Sequence, residues 1–132
     1  MDIRYIPKDQ LRVHWEFVKH GLEKVRSKGH DEWLVEDIYC DCFEQRSMLW
    51  IVSKENKDVG FLVLQPVGKN LHLWAAWLDS NNPQDLADGL THAINIARQG
   101  NSERLTFASV RKGWERRARQ LGFSPHTWEI KV

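Results

Sequence analysis

Four residues in the middle of the chain, Asn82-Pro83-Gln84-Asp85, have the types and order of a helix start. Asn82 suits an N-cap, Pro83 the first helical position and Asp85 the first turn. They follow the apolar run Leu71–Leu78 after a short loop, Asp79-Ser80-Asn81. A strand that feeds a helix N-terminus is where many folds hold a phosphate, because unbonded N–H groups and the helix dipole converge there. Two titratable groups accompany that run. His72 lies within it and Asp79 at its carboxyl end, and both are candidates for a general base. A lone histidine on a strand is more commonly a packed, hydrogen-bonded one. A third group is basic: Arg111, Lys112, Arg116, Arg117 and Arg119 gather around Trp114 and could meet phosphates. Cys40 and Cys42 are too close for an ordinary disulfide and too few for a metal site, so they read as reduced thiols. The six histidines lack ligand spacing, and no metal is expected. No Gly-x-Ser-x-Gly, His-Glu-x-x-His or P-loop pattern occurs, which excludes the familiar hydrolase motifs.

The elements that would position these groups follow from apolar periodicity. Leu71, Leu73, Ala75 and Trp77 alternate with His72, Trp74, Ala76 and Leu78, so the strand is apolar on both faces and reads as central. Leu86, Leu90, Ala93, Ile94 and Ala97 then recur at helical spacing until Gly100. Upstream, Ile3–Ile6 is a short strand ended by Pro7, and Asp9 can cap a first helix. Leu11, Trp15, Val18, Leu22 and Val25 form the stripe of that helix, which Gly21 interrupts. Residues Asp31–Arg46 predict a second helix with Val35, Ile38, Tyr39, Cys42 and Phe43 inward and an acidic remainder. Met48–Ser53 and Val59–Gln65 predict two strands, with a hairpin at Asn56-Lys57-Asp58 and a turn at Gly68-Lys69-Asn70. With the Leu71 strand they should form an antiparallel meander. Leu105–Ser109 predicts a parallel return strand, Lys112–Leu121 a basic helix with Trp114, Ala118 and Leu121 inward, and His126–Val132 a last strand.

The expected fold class is therefore α/β. A mixed sheet of about six strands with four helices would run strand, two helices, three strands, helix, strand, helix, strand, in one domain over residues 1–132. The 132 residues suffice for one core. No apolar run approaches membrane-spanning length and the N-terminus lacks a signal-peptide pattern, so the expectation is a cytoplasmic protein. Net charge is uneven: residues 1–97 hold 11 Lys/Arg against 15 Asp/Glu, a net of −4, and residues 98–132 hold 8 against 3, a net of +5. Such asymmetry can mark a partner surface or simply two charged faces of a small domain.

That order of elements resembles the GNAT N-acyltransferases over nearly the whole chain. LHLWAAWL with its helix, VGFLVLQ, and the closing run RLTFASVRKGWERRARQLGFSPHTWEIKV carry the resemblance. The phrases GFLVLQ and RKGWERRARQLGF look like small GNAT-like proteins of tailed bacteriophages, which would place the chain in a host cytoplasm or on a virion. The resemblance implies a donor, acetyl-CoA, whose pyrophosphate rests on a loop reading Arg/Gln-x-x-Gly-x-Gly/Ala. On that register Asn82 takes the Arg/Gln position, and Asp85 and Ala87 take the two small positions. Trp77, Leu78, Asn82, Ala87, Arg111 and Lys112 would be the cofactor-binding residues. The resemblance also implies a tyrosine acid, where Ala118 stands, and an asparagine beginning the last helix, where Ser109 or Arg111 stands nearby. Trp74, Ala75, Ala76 and Trp77 offer no carboxylate as a base.

Three functions follow as expectations. The first is a catalytically silent GNAT-fold module that binds a protein, either a phage structural protein or a host protein, with Trp114, Arg116 and Arg119 as interface residues. The alternative is an acetyl-CoA-dependent N-acyltransferase with an altered donor loop, with His72 and Asp79 as catalytic candidates. The third is nucleic-acid binding through the basic helix 112–121, to be recognised by a steep fall of affinity with salt.

Overall fold

The computed structural model describes residues 1–28, 35–108 and 114–124. Five strands form one sheet in sequence order: β1 (Asp2–Ile6), β2 (Met48–Lys54), β3 (Lys57–Val67), β4 (Asn70–Leu78) and β5 (Arg104–Phe107). The first four pair antiparallel and β5 returns parallel to β4, as the crossover helix requires. The expected sixth strand, His126–Val132, lies outside the described residues, as do residues 109–113 and the first residues, 31–34, of the expected second helix. Helix α1 spans Leu11–Lys28 after a 3-10 turn at Lys8–Gln10, α2 spans Val35–Phe43, α3 spans Pro83–Gln99 and α4 spans Trp114–Gln120.

The sheet separates two apolar clusters. Phe61, Val63, Leu49 and Ile51 turn one face of the sheet toward Leu11, Val18 and Leu22 of α1 and Val35 and Ile38 of α2. Leu64 and Leu71 turn the other face toward Ala93 and Ala97 of α3, with Trp50, Leu73 and Leu105 alongside. Consecutive strand residues point to opposite faces, so β3, buried on both, has to be central.

Several local expectations are corrected. Gly21 does not interrupt α1. A methyl group there would come within 2.5 Å of the Phe61 ring and 2.6 Å of the Trp77 ring, so the glycine lets the helix backbone lie against the sheet. The hairpin turn is Glu55-Asn56, both at positive φ (55° and 63°), while Lys57 and Asp58 already belong to β3. Helix α2 stops at Phe43. Gln45 takes φ 62°, and the N–H of Arg46 reaches the carbonyl of Asp41 at 2.9 Å, a Schellman ending. Phe43, expected inward, is 49 % exposed. The acidic face of α2 is also smaller than its sequence implies. Burial works against the charge of Asp41, yet hydrogen bonds from Ser47, Arg46 and Gln65 outweigh it and hold the carboxyl below its usual range. Helix α3 ends the same way, with Gly100 as its C-cap as expected and Asn101 rather than the glycine in the left-handed region.

The correction that matters most lies in β4. Val63 of β3 faces Ala75 but Leu64 faces Leu73, so Trp74 has no partner and forms a bulge. Leu71 and Leu73 therefore pack toward α3, while Ala75 and Trp77 pack toward α1. Strict alternation would have put all four on one face.

Candidate functional site

Strand β5 stops at Phe107, paired with Leu73. Beyond the bulge β4 runs on to Leu78, and among the described residues nothing pairs with that edge. An unpaired edge presents a row of N–H and C=O groups. It opens onto a cleft of about 530 Å³. One wall is Trp74–Leu78, another the loop residues Ser80, Asn81 and Asn82 with Pro83, Asp85, Leu86, Gly89 and Leu90 of α3, and a third Phe107, Arg117, Leu121 and Phe123. Phe107 and Phe123 meet edge to face at 4.8 Å. Helix α4 delivers Phe123 through its own Schellman ending: Gly122 has φ 94° and the Phe123 N–H bonds the Ala118 carbonyl at 3.0 Å. Gly89 is buried in the residue sense, yet a methyl group added there would meet no atom within 4 Å, because it would enter the cleft.

The start of α3 is capped as its sequence predicts. The Asn82 side-chain oxygen accepts from the Gln84 N–H at 3.0 Å, and the Asn82 carbonyl accepts from the Asp85 N–H at 3.0 Å. Pro83 has no N–H to offer. Asp85 was expected in the first turn of this helix, and it lies there. It is 4 % exposed, takes the Ser80 hydroxyl at 2.5 Å and the Lys54 ammonium at 3.1 and 3.3 Å. The Ser80 hydroxyl, then Lys54, hold its carboxyl below the usual carboxylate range. Lys54 is the last residue of β2, and its side chain is 43 % exposed.

The other predicted residues are distributed unevenly. Trp77, Leu78 and Asn82 line the cleft, and Ala87 does not. His72 sits on the paired part of β4, with Nδ1 2.9 Å from the Thr106 hydroxyl, outside the cleft lining. Its burial lowers its pKa, which keeps the ring neutral. Asp79 is exposed, its N–H bonded to the Val59 carbonyl at 2.7 Å. Arg111, Lys112 and the side chain of Trp114 lie outside the described residues. Arg116 and Arg119 are exposed on α4, while Arg117, between them, reaches the cleft.

No family model matches the sequence, and no curated protein does. Solved structures match over almost the whole chain. One is an aminoglycoside N-acetyltransferase AAC(6')-Iy in complex with CoA, at a TM-score of 0.67 and 12 % identity, covering 99 % of this chain and 97 % of that one. Another is a predicted acetyltransferase with acetyl-CoA from Clostridium acetobutylicum, at 0.71 and 10 % identity over 99 % and 94 %. A third is the aminoglycoside acetyltransferase meta-AAC0020 from an uncultured soil metagenomic sample in complex with sisomicin, at 0.72 and 13 % identity over 99 % and 93 %. The chain has the GNAT acetyltransferase fold.

Within that fold, Lys24, Lys54, Ser80, Gly89 and the Phe107–Phe123 pair are the site residues that sequence reasoning missed. Lys24 of α1 stands over Trp77 with Nζ 5.8 Å from the ring centroid, and it lines the cleft. Lys24 sits on the polar side of an amphipathic helix, and nothing in its neighbours marks it. Gly89 carried a signal: it is a glycine in the interior of a good helical pattern, which a packing or functional reason usually explains. No helix among the described residues is long and apolar enough to cross a membrane.

Proposed function

We propose that this protein is an acyl-thioester-dependent N-acyltransferase whose donor lies along the free edge of β4. The observation that carries this reading is the conjunction of that edge with Gly89. The unpaired amides of β4 can hydrogen-bond an extended amide-bearing arm as a strand would. The missing side chain at position 89 leaves the floor of the cleft clear. The volume, about 530 Å³, falls in the range of small-molecule sites. Proteins of the same fold are solved with CoA or acetyl-CoA, and an acyl-CoA donor is the corresponding ligand here.

The reaction is nucleophilic acyl transfer. An acceptor amine attacks the thioester carbonyl, the C–S bond breaks, the thiolate leaves, and the new ammonium loses a proton. N–H groups of the β4 edge without a strand partner among the described residues can donate to an oxyanion. The ionisable groups among the described cleft residues are Lys24, Asp85 and Arg117, and Asp85 is already ion-paired. None of them is arranged as a base, so the proton leaves with water and the acceptor's own ionisation sets the pH dependence. The rate should rise about tenfold per pH unit up to the pKa of the amine, since only the neutral amine attacks. Titration calorimetry with acetyl-CoA tests the binding, and acetylation of simple amines across pH tests the chemistry. A bell-shaped profile with a limb that follows the enzyme rather than the amine would overturn this proton route.

One feature favours a second reading, the silent protein-binding module. The cleft's described residues supply no base, and the helix start is satisfied from within. A chain that binds no thioester at millimolar concentration would belong to that class.

A further inference from the structure

We infer that the donor is selected through its pantetheine arm and that the nucleotide end of CoA contributes little. This rests on the acyl-thioester reading above and specifies which part of the donor the cleft recognises. A phosphate in the cleft would be drawn to the N-terminus of α3, where free N–H groups and the positive end of the helix dipole would face it. Here that end is closed by the chain itself. Gln84 N–H is bonded to the Asn82 side chain, Asp85 N–H to the Asn82 carbonyl, and position 83 is a proline. The nearest buried charge is a carboxylate, not a cation, and its counter-ion Lys54 is engaged with both of its oxygens. A diphosphate brought to this end would find few donors and a negative group of its own sign.

The arm portion of the site shows the opposite. Its wall, from Trp74 to Leu78, has no strand partner on that side among the described residues, and Leu86, Leu90, Leu121 and Phe123 are apolar. Those groups suit an uncharged chain of two amides and a thioester. The two further cations among the described cleft residues, Lys24 and Arg117, come from α1 and α4, not from the start of α3. Any donor that displays the pantetheine arm qualifies, CoA included.

The test is titration calorimetry of the full chain with three probes: acetyl-CoA, acetyl-pantetheine, and adenosine 3′,5′-bisphosphate. The expected result is that the two thioesters bind within about threefold of one another, a difference under 1 kcal/mol. The bisphosphate should neither bind nor displace them. Acetyl-CoA binding more than about thirtyfold tighter than acetyl-pantetheine, or displacement by the bisphosphate, would overturn the inference while leaving the acyltransferase reading intact. Binding of none of the three would remove both. Asp85→Gly sharpens the result, because Lys54 is exposed enough to return to water when its partner goes. That variant should shift the preference toward acetyl-CoA by about tenfold or more. An unchanged ratio in a folded Asp85→Gly protein would mean that Asp85 does not exclude the diphosphate.

Discussion

The two flanks of β4 are built to opposite rules. On the α1 side, Gly21 is pressed so closely on Phe61 and Trp77 that a single methyl would come within 2.6 Å of both rings. On the α3 side, Gly89 has no atom within 4 Å of the same added methyl. Both are glycines inside helices, and both lower intrinsic helix propensity. One is required because there is too little space and the other because space is kept. The close-packed flank fixes where the strand lies. The open flank is where the strand can be used.

Filling the open flank should have the largest effect. Gly89→Leu puts a branched side chain into the cleft and should weaken acetyl-CoA or acetyl-pantetheine binding at least about a hundredfold. The same change should leave the melting temperature level or higher, since leucine is the better helix former by about 1 kcal/mol. Unaltered binding would show that the arm does not pass Gly89. A methyl on the crowded flank should act the other way. Gly21→Ala gains helix propensity but overpacks the ring pair, and should destabilise by about 1–3 kcal/mol in denaturant unfolding. A stabilised Gly21→Ala protein would mean that the rings move aside freely, and the contrast between the flanks would weaken.

The smallest effect concerns the paired lower part of the sheet. His72 and His92 both have pKa values lowered by burial. Their native pKa lies below the unfolded value of 6.5, so protonation favours unfolding. Stability should be full above pH 6.5 and fall as the pH drops through that value toward the native pKa. Thermal melts at pH 7.5 and 5.5 should show the loss, and a His72→Asn/His92→Gln double variant should show less of it. Equal melting at both pH values in the wild-type chain would count against buried neutral rings.

Much of this architecture is legible from the letters alone. The meander, the crossover and the Asn82-Pro83 start of α3 follow from periodicity and cap chemistry, and all are present. What could not be read has specific causes. The bulge at Trp74 is hidden because β4 is apolar on both faces, so a shift of parity changes no polar residue's environment. Gly21 looks like a break because propensity describes a helix in isolation, not one lying against two rings. The role of Asp85 depends on Lys54, 31 positions away, and nothing local links them. The turn at Glu55-Asn56 was displaced by one residue because Lys57 and Asp58 are polar and suit a turn as well as an edge. Of the candidate site, Trp77, Leu78 and Asn82 fall in the cleft, whereas the walls contributed by α1 and α4 depend on tertiary packing.

The unpaired Trp74 also gives this strand one residue of slack in its length. Most single replacements in Leu71–Leu78 would alter one contact. Removing Trp74 would only close the bulge: Leu73 would still face Leu64 and Ala75 would still face Val63, so Trp77 would keep its place toward α1. In relatives of this chain a one-residue gap at the Trp74 position is therefore compatible with the same packing on both sides of β4.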